Sequence, residues 1–163
     1  MSNYIIRTIG PGDNVALAKI VRNTLEEFKA NKPNTVYFDE RTDHLFEIFS
    51  CPHSIYYVAE ENGIIIGGGG IYPTDYLPPG TCELVKLYLA PTARGKGIGK
   101  LLLEKSLAAA KKMGYKKVYL ETMPELIIAI PMYEKSGFTY LTAAQGNSGH
   151  CGCEIWMIKE LEE

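Results

Sequence analysis

Residues 87–102, Leu-Tyr-Leu-Ala-Pro-Thr-Ala-Arg-Gly-Lys-Gly-Ile-Gly-Lys-Leu-Leu, join an apolar strand to an apolar helix through a turn with three alternating glycines. A junction of this kind binds anions. The first four amides of a helix have no intrahelical acceptor, and the positive end of the helix dipole adds to them. Glycine lets a phosphate come close to the backbone. Arg94, Lys96 and Lys100 bring positive charge around Gly95, Gly97, Ile98 and Gly99. Glycine inside a helix costs about 1 kcal/mol relative to alanine, so a ligand on the bare backbone is the reason to keep three of them. The spacing fits neither the dinucleotide fingerprint G-x-G-x-x-G nor the phosphate loop G-x-x-x-x-G-K-[ST]. A second cluster, His150 beside Cys151-Gly152-Cys153, invites a metal reading. Its one-residue gap is shorter than that of structural zinc pairs, and no second pair lies elsewhere, so no metal is expected.

The elements that must position this turn follow from the apolar pattern. Tyr4–Ile9 reads as a strand, broken by Gly10-Pro11-Gly12. From Asp13 a helix gathers Val15, Leu17, Ala18, Ile20, Val21, Leu25 and Phe28 on one face. Asp39–Phe49 reads as a second, short helix. Ile55–Glu60 and Ile64–Tyr72 form a hairpin through Asn62-Gly63. The run Gly67–Gly70 in the second of these predicts a bulge, or a group packed close on the backbone. Cys82–Leu89 is a strand, and the helix after the glycine turn runs to about Met113, where Gly114 stops it. Lys117–Thr122 is a strand, and Pro124–Ser136 a helix stopped by Gly137, with Pro131 expected to kink it. Phe138–Thr142 and Glu154–Leu161 close the chain as strands. This order implies an α/β fold with a mixed sheet and helices on both faces. No repeat or linker interrupts it, so residues 1–163 are expected to form one domain.

Arg94, Gly97 and Gly99 fill the first, fourth and sixth positions of Q/R-x-x-G-x-G/A. The run therefore resembles the signature of the GNAT superfamily of N-acetyltransferases. Glu83-Leu84-Val85-Lys86-Leu87-Tyr88-Leu89 resembles the fourth strand of that family, and Ala129–Phe138 its A-x-x-x-Y-x-x-x-G-F segment. The resemblance implies a central, mostly antiparallel sheet of the acyl-CoA N-acyltransferase fold. It implies acetyl-CoA as co-substrate, with the pyrophosphate on the amides of Arg94 through Lys100 and the pantetheine arm on the backbone of Leu87 and Leu89. Acetyl would pass directly to a primary amine of a small molecule or amino acid. Glu83 matches a position where some members carry a catalytic base, and Tyr133 matches the family's tyrosine, whose phenol would protonate the departing thiolate. Plain strand alternation would place Glu83, Val85, Leu87 and Leu89 on one face. Leu126 stands where many members have a coenzyme-contacting asparagine, so that contact is lost or replaced. An inactive acyl-CoA-binding module of the same fold is the alternative reading.

Candidate acceptor-site residues are weaker. Phe28, Tyr37, Phe38, His44, Tyr72 and Tyr76 are aromatic wall residues by position, and His150, in the polar loop Gln145–His150, is a second candidate base. The composition, 46% hydrophobic and 22% charged with a net charge of -2, is that of a soluble globular chain and lacks the basic excess of a nucleic-acid binder. No stretch approaches the ~20 apolar residues of a membrane span, and MSNYIIRTIG lacks the apolar run of a signal peptide. The expectation is a cytoplasmic protein with its four cysteines reduced. An exposed strand edge would suit a homodimer.

Overall fold

The computed structural model describes residues 3–163. Seven strands form one sheet: β1 (Tyr4–Thr8), β2 (Ile55–Glu61), β3 (Ile64–Tyr72), β4 (Thr81–Leu89), β5 (Lys117–Thr122), β6 (Thr139–Leu141) and β7 (Ile155–Glu160). Their order is β1-β2-β3-β4-β5-β7-β6. Every neighbouring pair is antiparallel except β4 with β5. The four helices are α1 (Asn14–Glu27), α2 (Leu45–Ile48), α3 (Ile98–Lys112) and α4 (Ala129–Lys135).

Two cores follow from the pleat, in which successive side chains leave opposite faces. On one face Leu17 of α1 and Leu45 of α2 bury against Tyr56 and Val58 of β2. On the other, Ile98 and Leu102 of α3 bury against Ala59 and Ile66, and Leu103 packs with Leu84, Val118, Leu120 and Tyr133.

The glycine run in β3 is explained by what lies on each side of it. A Cβ on Gly68 would come within 2.6 Å of the Tyr56 ring, and one on Gly70 would strike the Ile55 carbonyl. On the opposite face a Cβ on Gly69 would meet Leu87 at 2.6 Å, and one on Gly67 would meet Leu89 at 2.5 Å. The strand is stripped of side chains so that Tyr56 can lie across it on one face and two leucines of β4 on the other.

Two predicted helices are shorter than the pattern suggested. Residues 36–49 form short 3₁₀ turns at Val36–Phe38 and Glu40–Asp43, then a single α turn at Leu45–Ile48. The Arg22 guanidinium takes the carbonyls of Tyr37 (3.0 Å) and Asp39 (3.4 Å), which a continuous helix would have used for its own ladder. The helix expected over Pro124–Ser136 starts only at Ala129. Pro131 therefore sits in its first turn, where an N–H has no intrahelical partner to lose, and no kink follows.

Strand β4 carries a bulge. Gly70 pairs with Val85 but Gly68 with Tyr88, one residue more on β4 than on β3. Lys86 absorbs the extra residue with φ 53. This corrects the plain alternation: Glu83, Val85 and Tyr88 face α1, whereas Leu84, Leu87 and Leu89 face α3.

Candidate active site

Strands β4 and β5 pair only from Thr81–Lys117 to Glu83–Tyr119. Beyond Glu83 they separate. Ala90 donates to Ile66 across the β3 side at 2.8 Å, so by ladder alternation the peptide groups of Leu87 and Leu89 face the open side toward β5. A groove of about 130 Å³ fills the fork, floored by Leu84, Leu87 and Leu120 and walled by Met132 and Tyr133 of α4. A single water needs only ~10–15 Å³ by this measure, so an extended chain fits.

At the groove's outer end lies the glycine turn. Gly97 caps α3 in the left-handed region (φ 78) without a capping side chain, and a Cβ added at Gly95 or Gly97 would meet nothing within 4 Å. Among the described residues, none of the amides from Gly95 to Lys100 donates a well-formed hydrogen bond outside the helix ladder, whereas the Arg94 amide, expected in the same cradle, already donates to the Pro91 carbonyl at 3.3 Å. Gly99 lets the head of α3 close on Leu89 and Met132. These bare amides fit a pyrophosphate. The side-chain charge is more occupied than its count suggests. Arg94 pairs with Glu27 at 2.6 Å, donates to the Leu89 carbonyl at 3.1 Å and lies over the Phe28 ring at 5.1 Å. Lys96 pairs with Glu61 at 3.4 Å and Lys100 with Glu104 at 3.8 Å. The backbone, more than the cations, offers the anion site. Leu89 keeps its amide but its carbonyl is already an acceptor for Arg94, while the Leu87 peptide has no strand partner.

Glu83 sits at the vertex of the fork, 4% exposed. Burial is the main force pushing its carboxyl up, to about 7. The Thr74 hydroxyl, donating at 2.6 Å, opposes that, and the nearby Glu121 adds to it. Tyr133 is 7% exposed, edge-on to Phe138 at 5.9 Å between centroids, and burial holds its phenol protonated well above the usual range. Leu126, at the departure from the family pattern, is an apolar wall residue.

A second, smaller cavity of about 50 Å³ adjoins the groove and shares Leu84, Lys86, Tyr88, Glu121, Thr122 and Leu126 with it. Glu83, Glu121, His150 and Cys153 reach it. His150 is not a surface loop residue. Its Nε2 lies 2.7 Å from Asp39 Oδ2, and burial lowers its pKa although Asp39 opposes this. Asp39 itself is pushed up by burial, yet hydrogen bonds from Arg41 and His150 outweigh that and hold it well below the usual carboxylate range. The loop that carries His150 is held down by Gln145, whose amide donates to the Tyr119 hydroxyl at 3.0 Å, and by Ser148, which donates to Glu121. Burial pushes the Cys153 thiol up to about 12, which removes it as a nucleophile.

Of the aromatic residues proposed from position, Phe28 lines the groove, Tyr72 packs on Phe49, and Phe38 and Tyr76 are 63% and 86% exposed. Tyr37 and His44 do not line either cavity. Sequence reasoning missed Lys86 and Glu121 as cavity residues, and Asp39 as the partner of His150. A charged residue after the apolar run Val118–Leu120 of the strand was a usable signal for Glu121. Among the described residues no cluster of three or more His, Cys, Asp or Glu side chains is placed to hold a metal ion, and no helix is long and apolar enough to cross a membrane.

Comparison with known proteins places the chain in a family. The chain is 39% identical over 159 residues to the uncharacterized N-acetyltransferase YjgM of Escherichia coli, covering 96% of this chain and 95% of that one. Its fold is similar to that of a GNAT-family acetyltransferase from Staphylococcus aureus Mu50, with TM-score 0.85 and 18% identity over 98% of this chain and 99% of that one. It is also similar to the PaiA N-acetyltransferase of Thermoplasma acidophilum, solved in complex with coenzyme A, with TM-score 0.75 and 20% identity over 97% and 99% of the two chains. The model of the acetyltransferase (GNAT) family matches residues 20–138, and the chain belongs to that family of acyl-CoA-dependent N-acetyltransferases.

Proposed function

We propose that the protein transfers acetyl from acetyl-CoA directly to a primary amine of a small molecule or amino acid. The observation that carries this reading is the placement of Glu83: buried, close to neutral pKa, at the vertex where β4 and β5 part, and lining the second cavity. When bound, the coenzyme supplies an acetyl group activated as a thioester.

The amides of Gly95–Lys100 hold the diphosphate, with Arg94 fixing the turn against α1 rather than gripping the anion itself. The Leu87 peptide, and the Leu89 amide, receive the arm along the open edge of β4. An amine reaches the site as an ammonium, which has no free electron pair, so one proton must leave first. Glu83, ionised at about half occupancy near pH 7, takes it. The nitrogen then bonds to the acetyl carbon, the carbon–sulfur bond breaks, and sulfur departs with the electron pair. Tyr133 gives its proton to sulfur, and the nitrogen's second proton passes to the phenolate as the amide forms, so that the one proton released by the reaction stays on Glu83. Burial raises the phenol, but a thiolate in the same dry groove is raised too, which limits the uphill cost of that transfer.

The test is thiol release from acetyl-CoA across a panel of primary amines and amino acids, alongside thermal shift with acetyl-CoA and with ATP. Turnover on at least one amine, and a larger shift with acetyl-CoA than with ATP, are expected. Tight acetyl-CoA binding with no turnover on any amine would make the chain an acyl-CoA-binding module instead. Equal shifts from the two nucleotides would remove the coenzyme reading.

A further inference from the structure

Lys86 stands where the groove and the second cavity meet and lines both. A left-handed backbone is unusual for a residue with a Cβ, and such conformations persist only where the surroundings enforce them. Here the enforcement is visible. The Tyr56 hydroxyl donates to the Lys86 carbonyl at 2.7 Å, from a ring that fits only because Gly68 and Gly70 have no side chains. Part of the sheet's centre thus serves to present one lysine at this junction.

Lys86 is part-buried, and cations shielded from water are normally paired. Lys86 forms no ion pair within 4.0 Å among the described residues. The two carboxylates whose fields reach it are Asp39 and Glu83. Asp39 is already held by Arg41 and His150, and Glu83 accepts from Thr74. Arg41, the other nearby cation, is committed to Asp39 at 2.8 Å. The cavity therefore holds one lysine amine without an ion-pair partner, and beside it Glu83 and Glu121, which suit a cation.

We propose that the acceptor is a zwitterion of amino-acid size, whose carboxylate is received by Lys86 while its ammonium is delivered to Glu83. This deepens the function proposed above and rests on it. The size of the cavity favours a small acceptor, since about 50 Å³ is room for only a few waters at ~10–15 Å³ each. A single available cation favours a monoanionic carboxylate over a phosphate dianion. Burial lowers the lysine's own pKa, and an arriving carboxylate would restore its charged form.

The experiment compares matched acceptors: the proteinogenic α-amino acids, and for each one turned over, its methyl ester and its decarboxylated amine. A charge-assisted contact of this kind predicts kcat/KM about 10- to 100-fold higher for the free acid. Lys86→Met is expected to remove that preference mainly through KM, slowing the acid about 10- to 100-fold more than the ester. Lys86→Arg is expected to recover part of it. Equal rates on acid and ester by the native enzyme overturn the inference and leave the proposed function standing, a comparison that needs no variant. Equal slowing of acid and ester by Lys86→Met also overturns it, placing the lysine on the thioester instead. Turnover of no amine at all overturns both.

Discussion

Replacing Glu83 by Gln separates the base from its scaffold, because Gln keeps the shape and an Oε1 that can still accept from Thr74. With a carboxyl at about 7, Glu83 is mostly protonated at pH 6 and mostly ionised at pH 8. An enzyme that binds the ammonium and deprotonates it should show kcat/KM rising about tenfold from pH 6 to pH 8 and then level until the amine itself titrates near ~10. An enzyme that merely captures neutral amine should keep rising with unit slope through pH 8 and beyond. Glu83→Gln should lower kcat/KM about 10²- to 10⁴-fold and abolish the inflection near pH 7. Stability should move the other way. The native state binds its proton up to about 7 and the unfolded chain only to 4.5, so between these values the folded form holds more protons and stability falls as pH rises. The loss is on the order of 3 kcal/mol by pH 8 at ~1.4 kcal/mol per unit, and Gln has no such charge to bury. Thermal denaturation at pH 8 should therefore show the variant at least as stable as the native protein. A pH-rate profile rising without a break to pH 9, or a Gln variant with native activity, would refute Glu83 as the base.

Three further outcomes follow from the geometry. Tyr133→Phe should reduce kcat about 10- to 100-fold with coenzyme Kd unchanged in calorimetry; native turnover would remove the acid role of this buried phenol. Gly97→Glu should weaken coenzyme binding by at least about 100-fold, since a carboxylate would enter the anion site from a left-handed backbone; unchanged affinity in calorimetry would remove the amide cradle. Tyr56→Phe should cost about 1–3 kcal/mol in urea unfolding, because the Lys86 carbonyl loses its donor; an unchanged midpoint would mean that water or relaxation replaces the tether.

The sheet was legible because period-2 and period-3.6 patterns dominate its elements, and the strands found match those expected to within a residue or two at most ends. The segment 36–49 was not, because its carbonyls answer to Arg22, a side chain on α1, rather than to their own neighbours. The glycine turn was readable from local spacing, since it and a helix start adjoin in sequence. The second cavity was not. Asp39 and His150 meet across 111 residues, and nothing near either announces the other. Nor does a lysine carry any local mark of a left-handed backbone, so the reversal of facing along β4 at Lys86 was invisible until the register was known.

The bare middle of β3 bears on how this protein could be re-engineered. Conventional stabilisation would read Gly67–Gly70 as weak β-formers and install valine or threonine there. At each of the four positions the added carbon would collide with Tyr56, Ile55, Leu87 or Leu89, so the substitution would wedge the sheet apart at its midline. The sheet's firmness at that point is borrowed from bulky neighbours on adjacent strands, and any library meant to harden the enzyme should hold these four codons constant and vary the neighbours instead.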